Sequence, residues 1–203
     1  MKIIDIEQRS NEWMEARRGK ITGTKLKNIV VKKGTGKKIG YYELIADRLS
    51  IPTDEDPMAR GTRLEDEAVK RFEKEYDKKV EQVGLCVRDD NENIAVSPDG
   101  VIENRGVHTE HLEIKCISSA KHLEAYFEKQ IPKEYEMQVL QSFIVNDDLA
   151  RLYFIFYDPR VPVLDFHVIE VKREDVQDDV QTYLEYQRNI LKEIDELTLN
   201  LSF

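Results

Sequence analysis

Ser97-Pro98-Asp99-Gly100 and, after a short insert, Leu112-Glu113-Ile114-Lys115-Cys116 are two pieces of one stretch, and its reading decides the fold. In the second piece polar and apolar residues alternate. Successive side chains of a β-strand point to opposite faces. Glu113 and Lys115 therefore share one face, while Leu112, Ile114 and Cys116 turn toward a core. Pro-Asp-Gly reads as a turn, with Pro presetting φ and Gly accepting a positive φ. Adjacent strands within residues 101–116, joined at Asn104-Arg105-Gly106, bring Asp99 toward the polar face. Charge on a buried strand is costly unless it is paired or holds a metal.

Two readings satisfy that rule. In one, Glu113 forms an ion pair with Lys115 or another neighbour, and Pro-Asp-Gly is only a turn. In the other, the carboxylates hold a divalent cation. A hard cation such as Mg²⁺ takes oxygen ligands and keeps several waters. Asp99, Glu113 and the backbone carbonyl of Ile114 supply part of such a shell. Lys115 then orients the attacking water or steadies charge on a phosphate, and the reaction is phosphodiester hydrolysis. Zinc fits poorly, because His108, His111, His122 and His167 have no tight ligand spacing. Cys86 and Cys116 are too few for an iron–sulfur cluster and read as reduced core residues.

Outward from this stretch, the 203 residues predict a single domain, 1–203. Helices over 10–50 precede a core over 58–171, and a last helix covers 174–198. Within this frame the pattern predicts helices at Tyr41–Leu49, Met58–Tyr76, Ser119–Phe127 and Lys133–Val145. Strands are expected at Val80–Val87, Ile94–Val96, Arg151–Tyr157 and Val163–Val171. The order implies an α/β or α+β architecture, a mixed central sheet flanked by helices. No apolar run is long enough to span a bilayer, and MKIIDIEQRS lacks a signal-peptide core, so the expected location is the cytoplasm. Net charge is −9, yet residues 1–50 carry 12 Lys+Arg against 6 Asp+Glu. That excess suits an anionic partner docking at the N-terminal end. The basic loop Lys32–Gly40 lacks phosphate-loop spacing.

Asp followed by Glu-x-Lys is the signature of the PD-(D/E)xK nuclease superfamily. More narrowly, the chain resembles the lambda exonuclease or YqaJ-like viral recombinase family. Its motifs occur here in order: Trp13, Arg17, Gly19, Ile21, Thr22 and Thr24; Gly61 and Glu65; Ser97-Pro98-Asp99-Gly100; Leu112-Glu113-Ile114-Lys115-Cys116; Gln138-Val139 with Ser142; and Tyr157-Asp158-Pro159-Arg160. The resemblance implies a restriction-endonuclease-like core with Asp99, Glu113 and Glu65 at the metal, Lys115 as the catalytic lysine and Gln138 completing the site. It implies a 5′-phosphate pocket of Arg17, Thr24 and Ser97, groups suited to a phosphate monoester. Family members often have Ser in place of Thr24. It further implies Mg²⁺, with Mn²⁺ as a substitute, and 5′→3′ digestion of double-stranded DNA ends by a homotrimeric ring. The 3′ overhang would pass to a single-strand annealing recombinase, in a bacterial host carrying a phage or prophage.

Overall fold

A computed structural model of the chain describes residues 11, 12, 15, 38–51 and 57–201. The expected helices and basic loop before residue 38 fall almost wholly outside them. The described elements are helix α1 (Ile39–Leu49), helix α2 (Pro57–Tyr76), strands β1 (Cys86–Arg88), β2 (Asn91–Val96), β3 (Gly100–Asn104) and β4 (Val107–Lys115), helix α3 (Ser119–Glu128), a 3₁₀ turn (Lys133–Tyr135), helix α4 (Glu136–Val145), strands β5 (Arg151–Tyr157) and β6 (Phe166–Lys172), and helix α5 (Arg173–Leu201).

The main sheet has the order β3-β4-β5-β6, and β1 and β2 form a separate hairpin. β3 pairs antiparallel with β4, β4 parallel with β5, and β5 antiparallel with β6. The parallel pair needs a crossover, and residues 116–150, with α3 and α4, provide it. β5 reads Arg-Leu-Tyr-Phe-Ile-Phe-Tyr, and Leu152 through Phe156 are fully buried. Such a continuous apolar run belongs to a strand covered on both faces. Tyr153 and Ile155 pack with Leu112 and Ile114 against Ala68, Val69 and Phe72 of α2. Leu152, Phe154 and Phe156 pack on the opposite face with Val139, Leu140, Phe143 and Ile144 of α4 and Val180 and Leu184 of α5. The result is a mixed sheet between helical layers, the architecture expected from the sequence.

Local chemistry accounts for the joints. β3 and β4 meet in a two-residue hairpin in which Arg105 and Gly106 both have positive φ, 56° and 86°. That geometry matches the right-handed strand twist and favours glycine. Beyond Lys115, the Ser118 hydroxyl accepts the Lys121 N–H and caps α3.

Three expectations change. The alternation over Val80–Val87 yields only a bridge between Glu81 and Val101 and the short β1. Glu81 and Val101 exchange both backbone hydrogen bonds at 2.9 Å, and the chain then leaves to pair with β2. The expected helix Lys133–Val145 opens as a 3₁₀ turn behind Pro132 before becoming α4. Gly100 does not take a positive φ. It is the first residue of β3, and a Cβ there would run into Val80 Cγ1. Neither Cys86 nor Cys116 forms a disulfide among the described residues, and both are half-buried at the margins of the cores. Among the described residues, no helix is long and apolar enough to cross a membrane.

Candidate active site

Strand pairing assembles the site. Gly100 lies opposite Leu112, which sets Asp99 beside Glu113 at the mouth of the β3–β4 ladder. The Asp99 N–H donates to the Leu112 carbonyl at 3.1 Å, and the Ile114 N–H donates to Asp99 Oδ2 at 2.6 Å. The carboxylate is thereby locked to the strand that carries Glu113. In the parallel register Glu113 and Lys115 stand beside Phe154 and Phe156, so their shared polar face is embedded in an apolar layer. Glu113 is only 7% exposed, and its carboxylate pairs with the Lys115 ammonium. That ammonium also lies 5.2 Å from the centre of the Tyr135 ring.

Three carboxyl groups here are pushed above their ordinary range. For Glu113 the leading cause is burial, opposed by the bond and charge of Lys115 and reinforced by the charges of Asp99 and Glu65. Burial likewise raises Asp99, against the Ile114 N–H and Lys115. Glu65 is raised by burial and then by the charge of Asp99. Its place on α2, one residue from fully buried Leu64, brings it within reach of both strands' charges. Three crowded carboxylates with one lysine leave negative charge poorly compensated, which is the electrostatic setting a cation relieves.

The donor set is oxygen only, the type that Mg²⁺ takes. Among the described residues, no group of three His, Cys, Asp or Glu is gathered closely enough to hold a metal by itself. Mg²⁺ does not require that, since it is commonly bound through one or two carboxylates, with waters and substrate phosphate completing the shell. Asp99 and Glu113 fit such a pair, with the Ile114 carbonyl next to Glu113 in sequence and Glu65 nearby. The ion-pair reading of Glu113 and Lys115 is realised.

The other residues singled out from sequence are placed less centrally. Ser97 is exposed on the loop between β2 and β3, two residues before Asp99. Gln138 is exposed on the first turn of α4 and, among the described residues, has no hydrogen bond to Glu113 or Lys115. Arg17 and Thr24 lie outside the described residues. Sequence reasoning missed Tyr135, three residues before Gln138, because a tyrosine beside Pro132 carries no motif. It also gave no role to Asp158-Pro159-Arg160. Asp158 is fully buried and accepts from Ser119 Oγ at 2.6 Å and from Arg160 through Nε at 2.7 Å and a terminal nitrogen at 2.8 Å. Arg160 also donates to the Ile117 carbonyl at 3.1 Å. This clamp ties the end of β5 to the segment that follows Lys115. Concavity alone does not mark the site: a cleft of 570 Å³ lies toward the other end of β4, lined by Arg88, His108, His111 and Asp147.

A mixed sheet that sets an Asp ahead of one strand beside Glu-x-Lys on the next is a PD-(D/E)xK-type nuclease fold. The sequence pattern of the YqaJ-like viral recombinase domain matches residues 12–148, and the chain belongs to that family. Among solved structures, the chain is similar to an alkaline exonuclease, LHK-Exo, from Laribacter hongkongensis. The identity is 25% and the TM-score 0.60, over 95% of this chain and 98% of that one. The same figures hold for LHK-Exo in complex with dAMP. A search of curated proteins finds no match.

Proposed function

We propose that this protein is a Mg²⁺-dependent exonuclease that digests one strand of double-stranded DNA from a 5′-phosphorylated end, leaving a 3′ overhang. The observation that carries the reading is the junction of Asp99, Glu113 and Lys115 on paired strands, with all three nearby carboxyls pushed up by burial, reinforced at Glu113 and Glu65 by neighbouring carboxylate charge. Family membership and the LHK-Exo likeness support it.

Asp99 and Glu113, with the Ile114 carbonyl and assistance from Glu65, would hold the cation, Mg²⁺ or in its place Mn²⁺. When bound, it supplies a water of lowered pKa and neutralises phosphate charge. The Asp99–Ile114 hydrogen bond fixes one carboxylate, and burial among Phe154 and Phe156 keeps bulk water off Glu113. Lys115 donates to the attacking water or to a non-bridging phosphate oxygen. Gln138, exposed on the first turn of α4 three residues after Tyr135, would meet the same phosphate. Ser97, two residues from Asp99, places phosphate recognition next to cleavage, and Arg17 and Thr24 would complete the end-binding pocket. In this reading the working unit is a homotrimeric ring that sediments at three times the 23.8 kDa chain mass. It works in the cytoplasm and hands its overhang to an annealing recombinase.

One strand-resolved digestion series tests the reading. End-labelled linear duplex should lose the strand with the 5′-phosphate, only with Mg²⁺ or Mn²⁺, and faster than a 5′-hydroxyl duplex. Lys115→Ala should retain DNA binding and lose at least about a hundredfold in rate, the order expected for a residue that stabilises developing charge. Cutting of closed circular DNA would make the protein an endonuclease or nickase instead. Binding of ends without metal-dependent hydrolysis would leave a non-catalytic end-binding module.

A further inference from the structure

We propose that Tyr135 is a positioning residue for Lys115, holding the ammonium over its ring face. The inference rests on the reading above in which Lys115 acts in hydrolysis. A lysine side chain has four rotatable bonds and, in water, no fixed direction. Glu113 alone is a poor guide for it, because a carboxylate that also serves a cation must share its charge. The Tyr135 ring is a second, neutral guide. Its centre lies 5.2 Å from Lys115 Nζ, within the range where a ring face attracts a cation.

The ring is itself held. It packs on Phe154 with centroids 5.6 Å apart, and Phe154 is the β5 residue opposite Glu113. Its backbone is fixed by the 3₁₀ turn, where the Tyr135 N–H donates to the Pro132 carbonyl at 2.9 Å. Its hydroxyl lies near Glu134, whose carboxylate takes Lys121 Nζ at 2.7 Å. The polar end of the tyrosine is thus turned away, and the ring face is left for Lys115. The irregular start of α4 has a use on this account. A regular helix from Lys133 would place residue 135 differently against β4 and β5.

Geometry and catalysis are tested separately. In nuclear magnetic resonance spectra the Lys115 ε-methylene protons, identified by their disappearance in Lys115→Met, should be shifted upfield by the Tyr135 ring current in the wild type and in Tyr135→Phe. The shift should vanish in Tyr135→Leu. Unshifted ε-protons in the wild type overturn the proposal even if the leucine variant fails to fold. In the digestion assay Tyr135→Leu, which keeps apolar cover over Phe154, should lose about tenfold in kcat with KM changed less than about twofold, and Tyr135→Phe should stay near wild type. A leucine variant with wild-type kcat, or an equal loss in both variants, overturns the positioning role. A wild type that shows the upfield shift and hydrolyses nothing sinks the nuclease reading instead, and with it any catalytic use of a placement that is real.

Discussion

Asp158 shows how a single buried charge can hold a site it never touches. Its carboxylate is fully buried and bound by Ser119 and by two nitrogens of Arg160. Burial alone would raise its pKa, but the Arg160 and Ser119 hydrogen bonds and the Arg160 charge outweigh it, and the group is held below its usual range. Removing one partner of a buried pair leaves the other uncompensated, at a cost of about 3–5 kcal/mol. Asp158→Ala should therefore lose stability of about that size in urea unfolding. A loss under about 1 kcal/mol, the range of exposed pairs, would show that solvent reaches the clamp. The motif was visible in the sequence and its purpose was not. Asp-Pro-Arg between two strands reads as a turn, and only the packing of α3 against it reveals a buried carboxylate. Glu113 and Lys115 were legible for the opposite reason: strand alternation alone puts them on one face.

At the scale of elements, Gly100 carries the lesson. Its place in a Pro-Asp-Gly stretch suggested a backbone demand, and the structure shows a steric one, the approach of Val80 to the start of β3. Overpacking typically costs about 1–3 kcal/mol. Gly100→Ala should destabilise by about that amount and also lower kcat, because β3 sets Asp99 against Ile114. Val80→Ala in the same chain should recover part of both. A double variant that is no better than the sum of the single ones would remove Val80 as the cause. Pairing partners are what the sequence lacked. The period of two at Val80–Val87 was real as a pattern, but a strand exists only where a neighbour accepts its hydrogen bonds. The parallel partnership of β4 with β5 likewise spans a long crossover that leaves no local trace.

For the whole molecule, acid should be the weak side. His122 is fully buried, its Nε2 donates to the Leu164 carbonyl at 2.6 Å, and Nδ1 has no partner among the described residues. Burial lowers its pKa, with the Leu164 bond and nearby carboxylates opposing. A folded pKa below the unfolded one means that the unfolded chain binds the extra proton first. Stability is then complete above the unfolded value of about 6.5 and falls as pH drops below it. Asp158, also depressed, adds a second loss below about 4. His122→Gln should lessen the fall of the urea midpoint from pH 7 to 5, to which His111, lowered by burial to about 4, also contributes and which the raised Asp99, Glu113 and Glu65 oppose. An unchanged slope in the variant would move the effect to another histidine.

The parallel pairing of β4 with β5 has a consequence for how the protein comes into being. Asp99, Glu113, Lys115 and Gln138 all lie within the family-matched span 12–148, yet the strand that flanks Glu113 and Lys115 begins at Arg151. During synthesis the ribosome releases every candidate catalytic side chain before it releases the strand that fixes them. Closing a contact across some 35 residues is also slow compared with forming the local β3–β4 hairpin. The nascent chain therefore holds the β3–β4 half of the site, with Asp99 set against Ile114, before the strand that flanks Glu113 and Lys115 is in place.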